Sequence, residues 1–300
     1  MEALDRLQRH MHTLGELRTI VRTMKALSAV STRQYERAVD ALGGYYRTVA
    51  LGLQVVLQGT RDTPPPGAPR RGAAPSAAIV FGSDHGLCGR FNEDMAAHAR
   101  ERLAARGIAP ARCRVLAVGA RIATSLEHDG QPVEEIYFVP GSAARITATV
   151  QEILRKVDAW RREADVRDIH LFYNHHRGAK GYEPTDLALL PVDFRRFQAL
   201  QAERWPSRRL PTFTMERNAL LAALLRQYFF VSIFRACAES QASEHTSRLA
   251  AMVSAERHLD ERVEEVGAML RRLRQEAITT ELLDVVAGFE AATAGGGAAR

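Results

Sequence analysis

Two short runs in this 300-residue chain gather side chains that could do chemistry. The first is GSDHGLCGRFN at 82–92, where Ser83, Asp84, His85 and Cys88 sit among glycines. It follows a short apolar stretch and opens a helical one. In a doubly wound fold that is where a nucleotide phosphate meets a helix N-terminus. The glycines at 82, 86 and 89 do not spell GxGxxG, and no GK[ST] is present. The spacing therefore favours a structural or protein-contacting turn over a phosphate cradle. The second run is Ser243-Glu244-His245. Like Ser83-Asp84-His85 it is contiguous, whereas triads converge from separate elements. His175 and His176 are adjacent, so on a strand they point to opposite faces and cannot both chelate; they read as surface-loop residues. His10 and His12 do not share a helix face. Cys88, Cys113 and Cys237 are odd in number and form no CxxC pair, which points to neither a zinc site nor a disulfide framework and fits a reducing cytoplasm. No catalytic residue, metal or cofactor is indicated.

The elements that must carry these runs explain the lack of a catalytic set. Residues 1–58 and 211–291 each read as one long helix, with no proline in the first and none after Pro211 in the second. On a seven-residue grid the N-terminal arm places Leu7, Leu14, Val21, Ser28, Tyr35, Leu42, Val49 and Val56 on one seam, apolar in seven of eight positions. The companion seam reads Leu4, Met11, Arg18, Lys25, Thr32, Val39, Tyr46 and Leu53. Its polar middle is expected to face water or another subunit. In the C-terminal arm Leu259, Val263, Val266, Leu270, Leu273 and Ala277 follow a 4-3 rhythm, and Ile278, Leu282, Val285 and Phe289 continue the stripe. Two such arms, far apart in sequence, cover their stripes on each other as an antiparallel coiled coil.

Between the arms, 59–75 holds five prolines and reads as a linker. From 76 to 210 the pattern is that of an inserted Rossmann-like α/β domain. Strands are expected at 77–81, 114–118, 135–139, 169–173 and 187–192, and helices at 93–106, 120–128 and 143–162. The fold class is thus α/β plus long helices, with a frayed tail at 292–300. A shaft or strut fits that plan better than an enzyme pocket.

Composition narrows the class further. Hydrophobic (46%) and charged (25%) fractions are those of an ordinary globular protein. The net charge of +6 is mild and interspersed, so no nucleic-acid partner is indicated. Of 41 basic residues only Lys25, Lys156 and Lys180 are lysine, an arginine bias that points to a GC-rich genome more than to a recognition surface. The N-terminal residues have neither the apolar run of a signal peptide nor the composition of a transit peptide. The longest apolar patch, Tyr228 to Phe234, is too short to span a bilayer.

Three blocks of residues resemble the gamma subunit of F-type ATP synthases, nearly end to end. Ser83-Asp84-His85-Gly86-Leu87-Cys88-Gly89 with Asn92 is similar to that family's SDRGLCG…N loop, with His85 for a basic residue. Ala242-Ser243-Glu244-His245, Arg248 and Ala251-Met252 resemble its ASEH..RM.AM helix, with Leu249 for Met. Arg274-Gln275, Ala277-Ile278-Thr279, Glu281, Asp284 and Gly288 resemble its terminal RQ.AIT.E..D…G signature. The N-terminal KNT.KIT.AM block is poorly kept: Gly15 to Thr19 replace most of it, while Ile20, Arg22 and Met24 survive. Arg271 and Phe289 depart from the usual Asn and Ala. These departures resemble a divergent bacterial member, such as one from a second, alternative ATPase of the sodium-translocating type. A nucleotide-binding α/β enzyme using the 82–92 loop, or a coiled-coil scaffold, are the readings outside the family.

The resemblance implies a non-catalytic central rotor stalk. Its coiled coil would stand in a ring of three alpha and three beta subunits, and its α/β domain, with the epsilon subunit, would rest on the c-subunit ring. Membrane contact would run only through that ring, at the cytoplasmic face of a bacterial inner membrane. Arg274, Gln275, Thr279 and Glu281 would contact a beta subunit as a releasable catch. Arg22, Met24 and Lys25 would contact the stator ring. Ser83, Asp84, His85, Gly86, Leu87, Cys88, Gly89 and Asn92 would form a foot near the c ring and epsilon.

Overall fold

A computed structural model describes residues 2–57, 75–178, 181–194 and 211–295. Most of the proline-rich linker, residues 195–210 of the expected α/β domain, and the last five residues of the expected tail lie outside that set. The long arms are helices: α1 spans Glu2–Leu57 and α5 spans Arg217–Gly295, which carries α5 past the expected end at 291. The chain divides into two compact units, residues 1–26 with 251–300 and residues 27–250.

The larger unit is built on a five-stranded sheet. Its elements are β1 (Ser76–Phe81), α2 (Phe91–Ala105), β2 (Cys113–Val118), α3 (Ala120–His128), β3 (Glu135–Tyr137), α4 (Ile146–Glu163), β4 (Asp168–His176) and β5 (Tyr182–Leu190). The strand order is β3-β2-β1-β4-β5, with all neighbours parallel except the β4–β5 hairpin. Sequence reading missed the hairpin's length. It placed only 187–192 in the last strand because Glu183, Thr185 and Asp186 dilute the apolar signal. β5 is an edge strand, and edges tolerate such residues.

β1 is buried throughout because both faces of the sheet are covered. Ala77, Ile79 and Phe81 point toward α4 (Ile146, Val150, Ile153, Val157, Trp160), and toward Tyr35 of α1 and Ile233, Ala236 and Ala242 of α5. Ala78 and Val80 point toward α2 (Met95, Ala96, Ala99, Leu103) and α3 (Ile122, Ala123, Leu126). Two helical layers and a sheet thus give the expected architecture, with the long helices serving as part of one layer. At the start of α5, Leu221, Leu224 and Leu225 pack with Tyr228 against Val49, Ala50 and Leu53 of α1. One stretch of α5 is long and apolar enough to cross a membrane by length and composition alone, a property it shares with buried core helices.

In the smaller unit α1 and α5 run antiparallel. Met11 lies against Gly267, Arg18 against Asp260 and Arg22 against Glu256, a constant offset running in opposite directions. Leu14, Met252 and Val266 are its buried apolar residues among those described. The expectation that the polar seam positions face water or another subunit is corrected here. Arg18 and Lys25 are half-buried against Asp260 and Glu256, because antiparallel pairing brings acids of α5 to the same level.

Candidate functional site

In an open α/β sheet the ligand crevice lies beyond the carboxyl ends of the strands, where the strand order reverses. Here that point lies between β1 and β4, and the 82–92 loop forms one wall. The loop is stitched internally. Ser83 N–H donates to Asn92 Oδ1 (3.0 Å), Asn92 Nδ2 donates to Ser83 Oγ (2.9 Å), and Ser83 Oγ donates to the His85 carbonyl (2.8 Å). Cys88 is buried beside Ser83 and Asn92, and burial pushes its thiol above its ordinary pKa. It is not a nucleophile poised for reaction.

The carboxylate of Asp84 lies on the other side of β1 from that crevice, at the N-terminus of α3, the helix that follows β2. One oxygen accepts from Ala120 N–H, the first residue of α3, and the other from Val139 N–H, both at 3.0 Å. The next amide of α3, on Arg121, donates to the Ser83 carbonyl (2.9 Å). The first two orphan donors of α3, at its positive end, are therefore satisfied from within the chain. Gly119 makes this close approach possible. Its φ is +126°, and a Cβ there would lie 2.7 Å from the Ser83 carbonyl oxygen.

α5 crosses the open end of the crevice. Ser247 Oγ donates to the Cys88 carbonyl (2.6 Å), and Arg248 reaches the carbonyls of His85 and Gly86 at 3.3 Å. Across the crevice Ser243 Oγ donates to the Asn174 carbonyl at the end of β4 (2.9 Å). Glu244, 4% exposed, pairs with Arg248 (2.7 Å) and accepts from Gln241. Desolvation raises the Glu244 carboxyl pKa, and Arg248 and Gln241 oppose the rise. His245 stacks on Tyr35 of α1 with centroids 5.6 Å apart, and burial lowers its pKa to about 4, so it is a neutral ring in a packing role.

The adjacent histidines lie at the end of β4, which corrects the expectation of a surface loop. Strand alternation sends them to different helices: His175 to Glu239 of α5 (2.5 Å) and His176 to Glu36 of α1 (2.8 Å). Glu239 also accepts from Arg235 (2.6 Å). Sequence reading did not find Asp84's double role, or Glu36, Glu239 and Glu256. An acid immediately after Ser83 in a strand-to-helix loop was the available signal for the first. The other three became visible only once the pairing of the arms was known. Among the described residues no cluster of three or more histidine, cysteine or acidic groups could hold a metal.

The remaining candidates lie outside the crevice. Arg22 (2.8 Å) and Lys25 (2.5 Å) both contact Glu256, and Met24 is half-buried. Arg274, Gln275, Thr279 and Glu281 are exposed, as is every side chain from Arg274 to Ala287. That stretch includes Ile278 (59%), Leu282 (60%) and Val285 (66%). Thr279 Oγ1 donates to the Gln275 carbonyl. Such apolar exposure on a long helix marks a surface built to meet another molecule.

Two of the three sequence blocks, far apart along the chain, therefore meet in one hydrogen-bonded junction, and the third is displayed on a bare helix end. Comparison with known proteins gives the same grouping. A family model described as ATP synthase matches residues 3–292. The ATP synthase gamma chain of Zymomonas mobilis is 27% identical over 303 residues, covering 97% of this chain and all of that one. That of Granulibacter bethesdensis is 28% identical over 312 residues, with the same coverage. Among solved structures, a chain of the Euglena gracilis mitochondrial ATP synthase rotor aligns with a TM-score of 0.64 at 15% identity, over 92% of this chain and 99% of that one. With a family match running almost from end to end and the same two-arm fold, this chain belongs to the ATP synthase family, among the gamma chains.

Proposed function

We propose that this chain is the non-catalytic central stalk of an F-type ATP synthase, turning as a rotor between an ion-driven ring and the ATP sites. The observation that carries this reading is the bridged crevice. Where the fold would bind a nucleotide, between β1 and β4, α5 lies across the opening, bonded to the Cys88 carbonyl on one side and the Asn174 carbonyl on the other. The α/β domain is thereby clamped to a long helix, as a part that transmits force requires.

In this reading α1 and α5 stand within three alpha and three beta subunits, and the α/β domain meets epsilon and the c-subunit ring. The stalk is peripheral to the membrane, on the cytoplasmic face in a bacterial cell. Arg274, Gln275, Thr279 and Glu281 form the catch on a beta subunit, supported by their exposure beside Ile278 and Leu282. A charge-assisted bond of about 1.5–3 kcal/mol suits a contact that must break in each turn. Arg22, Met24 and Lys25 face the stator ring. Arg22 is 53% exposed beyond its pair with Glu256, which leaves its guanidinium accessible. The exposed tip of the 82–92 loop, His85 and Leu87, is the part available to the c ring or epsilon.

Arg274→Ala with Gln275→Ala tests the catch. In an assembled complex with alpha and beta subunits, coupled ATP turnover should fall several-fold while gamma content stays at wild type. Unchanged turnover in a fully assembled variant would overturn the assignment.

A further inference from the structure

The smaller unit holds its two helices together with little buried apolar surface. Among its described residues only Leu14, Met252 and Val266 are buried apolar side chains, whereas the six-residue strand β1 alone buries five. Large apolar groups stand in solvent instead: Leu17, Ile20, Met269, Leu283 and Val286 are each 45% exposed or more. The ion pairs across the seam do not make up the difference. Arg18 is 35% and Asp260 43% exposed, and Arg22 is 53% exposed where it meets Glu256. Pairs so open to water add little and are screened by salt. The helices are also weak in themselves here. Gly15 and Gly267 lower helix propensity. Thr13, Thr19 and Thr23 turn their hydroxyls back onto carbonyls four residues earlier, a bond that slightly weakens a helix. The offset fixed by Arg18–Asp260 and Arg22–Glu256 brings Glu2 level with about residue 276, so α5 from there to Gly295 has no α1 residue opposite it.

We propose that the smaller unit folds conditionally: in the free chain it is frayed most of the time, and it becomes a firm pair of helices only when another molecule covers its apolar faces. Nucleation is not the obstacle. α1 and α5 run on into the larger unit, where both are packed. What is missing is a gain on propagation. Each further helical residue adds one backbone bond for the freedom it loses, close to an even exchange in water, and tertiary packing normally tips it. Here packing is sparse, so fraying deepens from the larger unit toward both tips. The inference rests on the rotor reading only for the identity of the cover, the alpha and beta subunits. In that setting the stiffness of the shaft is supplied by its sleeve, and an unassembled chain presents open arms to proteases.

Amide hydrogen exchange read by mass spectrometry tests this on the full chain, at a concentration where it elutes as a monomer. Amides of 2–26 and 251–287 should exchange within about tenfold of an unstructured peptide, while those of β1, β2 and β4 should be slower by about a thousandfold or more. In a complex with alpha and beta subunits the amides of the arms should slow by about a hundredfold or more. Arms as protected as the sheet in the free chain would overturn the proposal. So would arms that still exchange freely inside an assembled complex. A variant tests the cause without any partner. Arg18→Leu with Asp260→Leu and Gly15→Ala adds apolar contact and helix propensity to the seam, and should slow exchange of the free arms by about tenfold or more. Unchanged exchange in that variant would overturn the proposed cause. The rotor reading fails on a different result: no assembly with alpha and beta subunits, while the free chain and its variant exchange as expected.

Discussion

If the carboxylate of Asp84 pins the 82–92 loop to the start of α3 and to the segment after β3, removing it should cost what two charge-assisted hydrogen bonds are worth. Both bonds are to backbone N–H groups at 3.0 Å. One of them also caps the N-terminus of α3, where a negative charge is favoured. At about 1.5–3 kcal/mol each, and with the half-buried site admitting some water in compensation, Asp84→Ala should destabilise the domain by about 3 kcal/mol. Asp84→Asn keeps one acceptor and should cost about half as much. Trp160 is a clean reporter because it is buried in the core of the same domain. Trp205→Phe makes it the only tryptophan, since the chain has two. Urea denaturation followed by Trp160 fluorescence should show the midpoint falling by roughly 1.5 M in Asp84→Ala, taking a slope near 2 kcal/mol per M. A loss under about 0.5 kcal/mol would refute the reasoning, because that is the scale of an ordinary surface substitution. Asp84 would then serve something other than the fold.

Other outcomes follow from the same geometry. Cys88 is buried, so contact by the 82–92 loop is better probed with Leu87→Cys, at a position 63% exposed. Crosslinks to epsilon or c are expected in the assembled complex, and crosslinks confined to alpha or beta would refute the foot placement. His170 and His245 are both held to pKa values of about 4 by burial, below the ordinary 6.5. The unfolded chain therefore binds more protons between those values, and stability should be fully present above about pH 6.5 and decline as pH falls toward 4. The slope should approach about 1.4 kcal/mol per pH unit for each ring. Replacing both with glutamine should flatten the urea midpoint between pH 5 and 6.5, and an unaltered slope would contradict the assignment. Gly43 and Gly44 have open space where a methyl group would go, with no atom within 4 Å, whereas Gly119 is strained and crowded by Ser83. Alanine at 43 or 44 should stabilise by about 0.5–1 kcal/mol and alanine at 119 should destabilise by more than about 2 kcal/mol, both read from denaturation midpoints.

How much of this was legible in the sequence depended on whether the signal was local. The eight-heptad seam from Leu7 to Val56 predicted a helix whose seam residues are all buried or half-buried. The Arg114–Val118 and Ile169–Tyr173 runs predicted strands because largely apolar runs between turns have few other uses. Partners were not legible. Arg18 and Lys25 looked like water-facing breaks in a seam because their acids lie over 200 residues away. His175 and His176 looked like loop residues because their partners, Glu239 and Glu36, come from both long helices. The loop at 82–92 was rightly suspected of importance, yet its chemistry could not be read from its letters. Asp84 there could equally have met a ligand or a backbone. Only the placement of Ala120 and Val139 against it decides for the backbone.

The central claim is that this chain is a rotor stalk assembled with catalytic alpha and beta subunits. The most direct measurement is co-expression of the chain with alpha and beta subunits from the same genome, followed by size-exclusion chromatography and an ATPase assay. The predicted result is one copy of this chain per hexamer of three alpha and three beta subunits, with ATPase activity that depends on it. A chain that elutes alone, while alpha and beta subunits assemble and hydrolyse ATP around a different gamma chain, would contradict it.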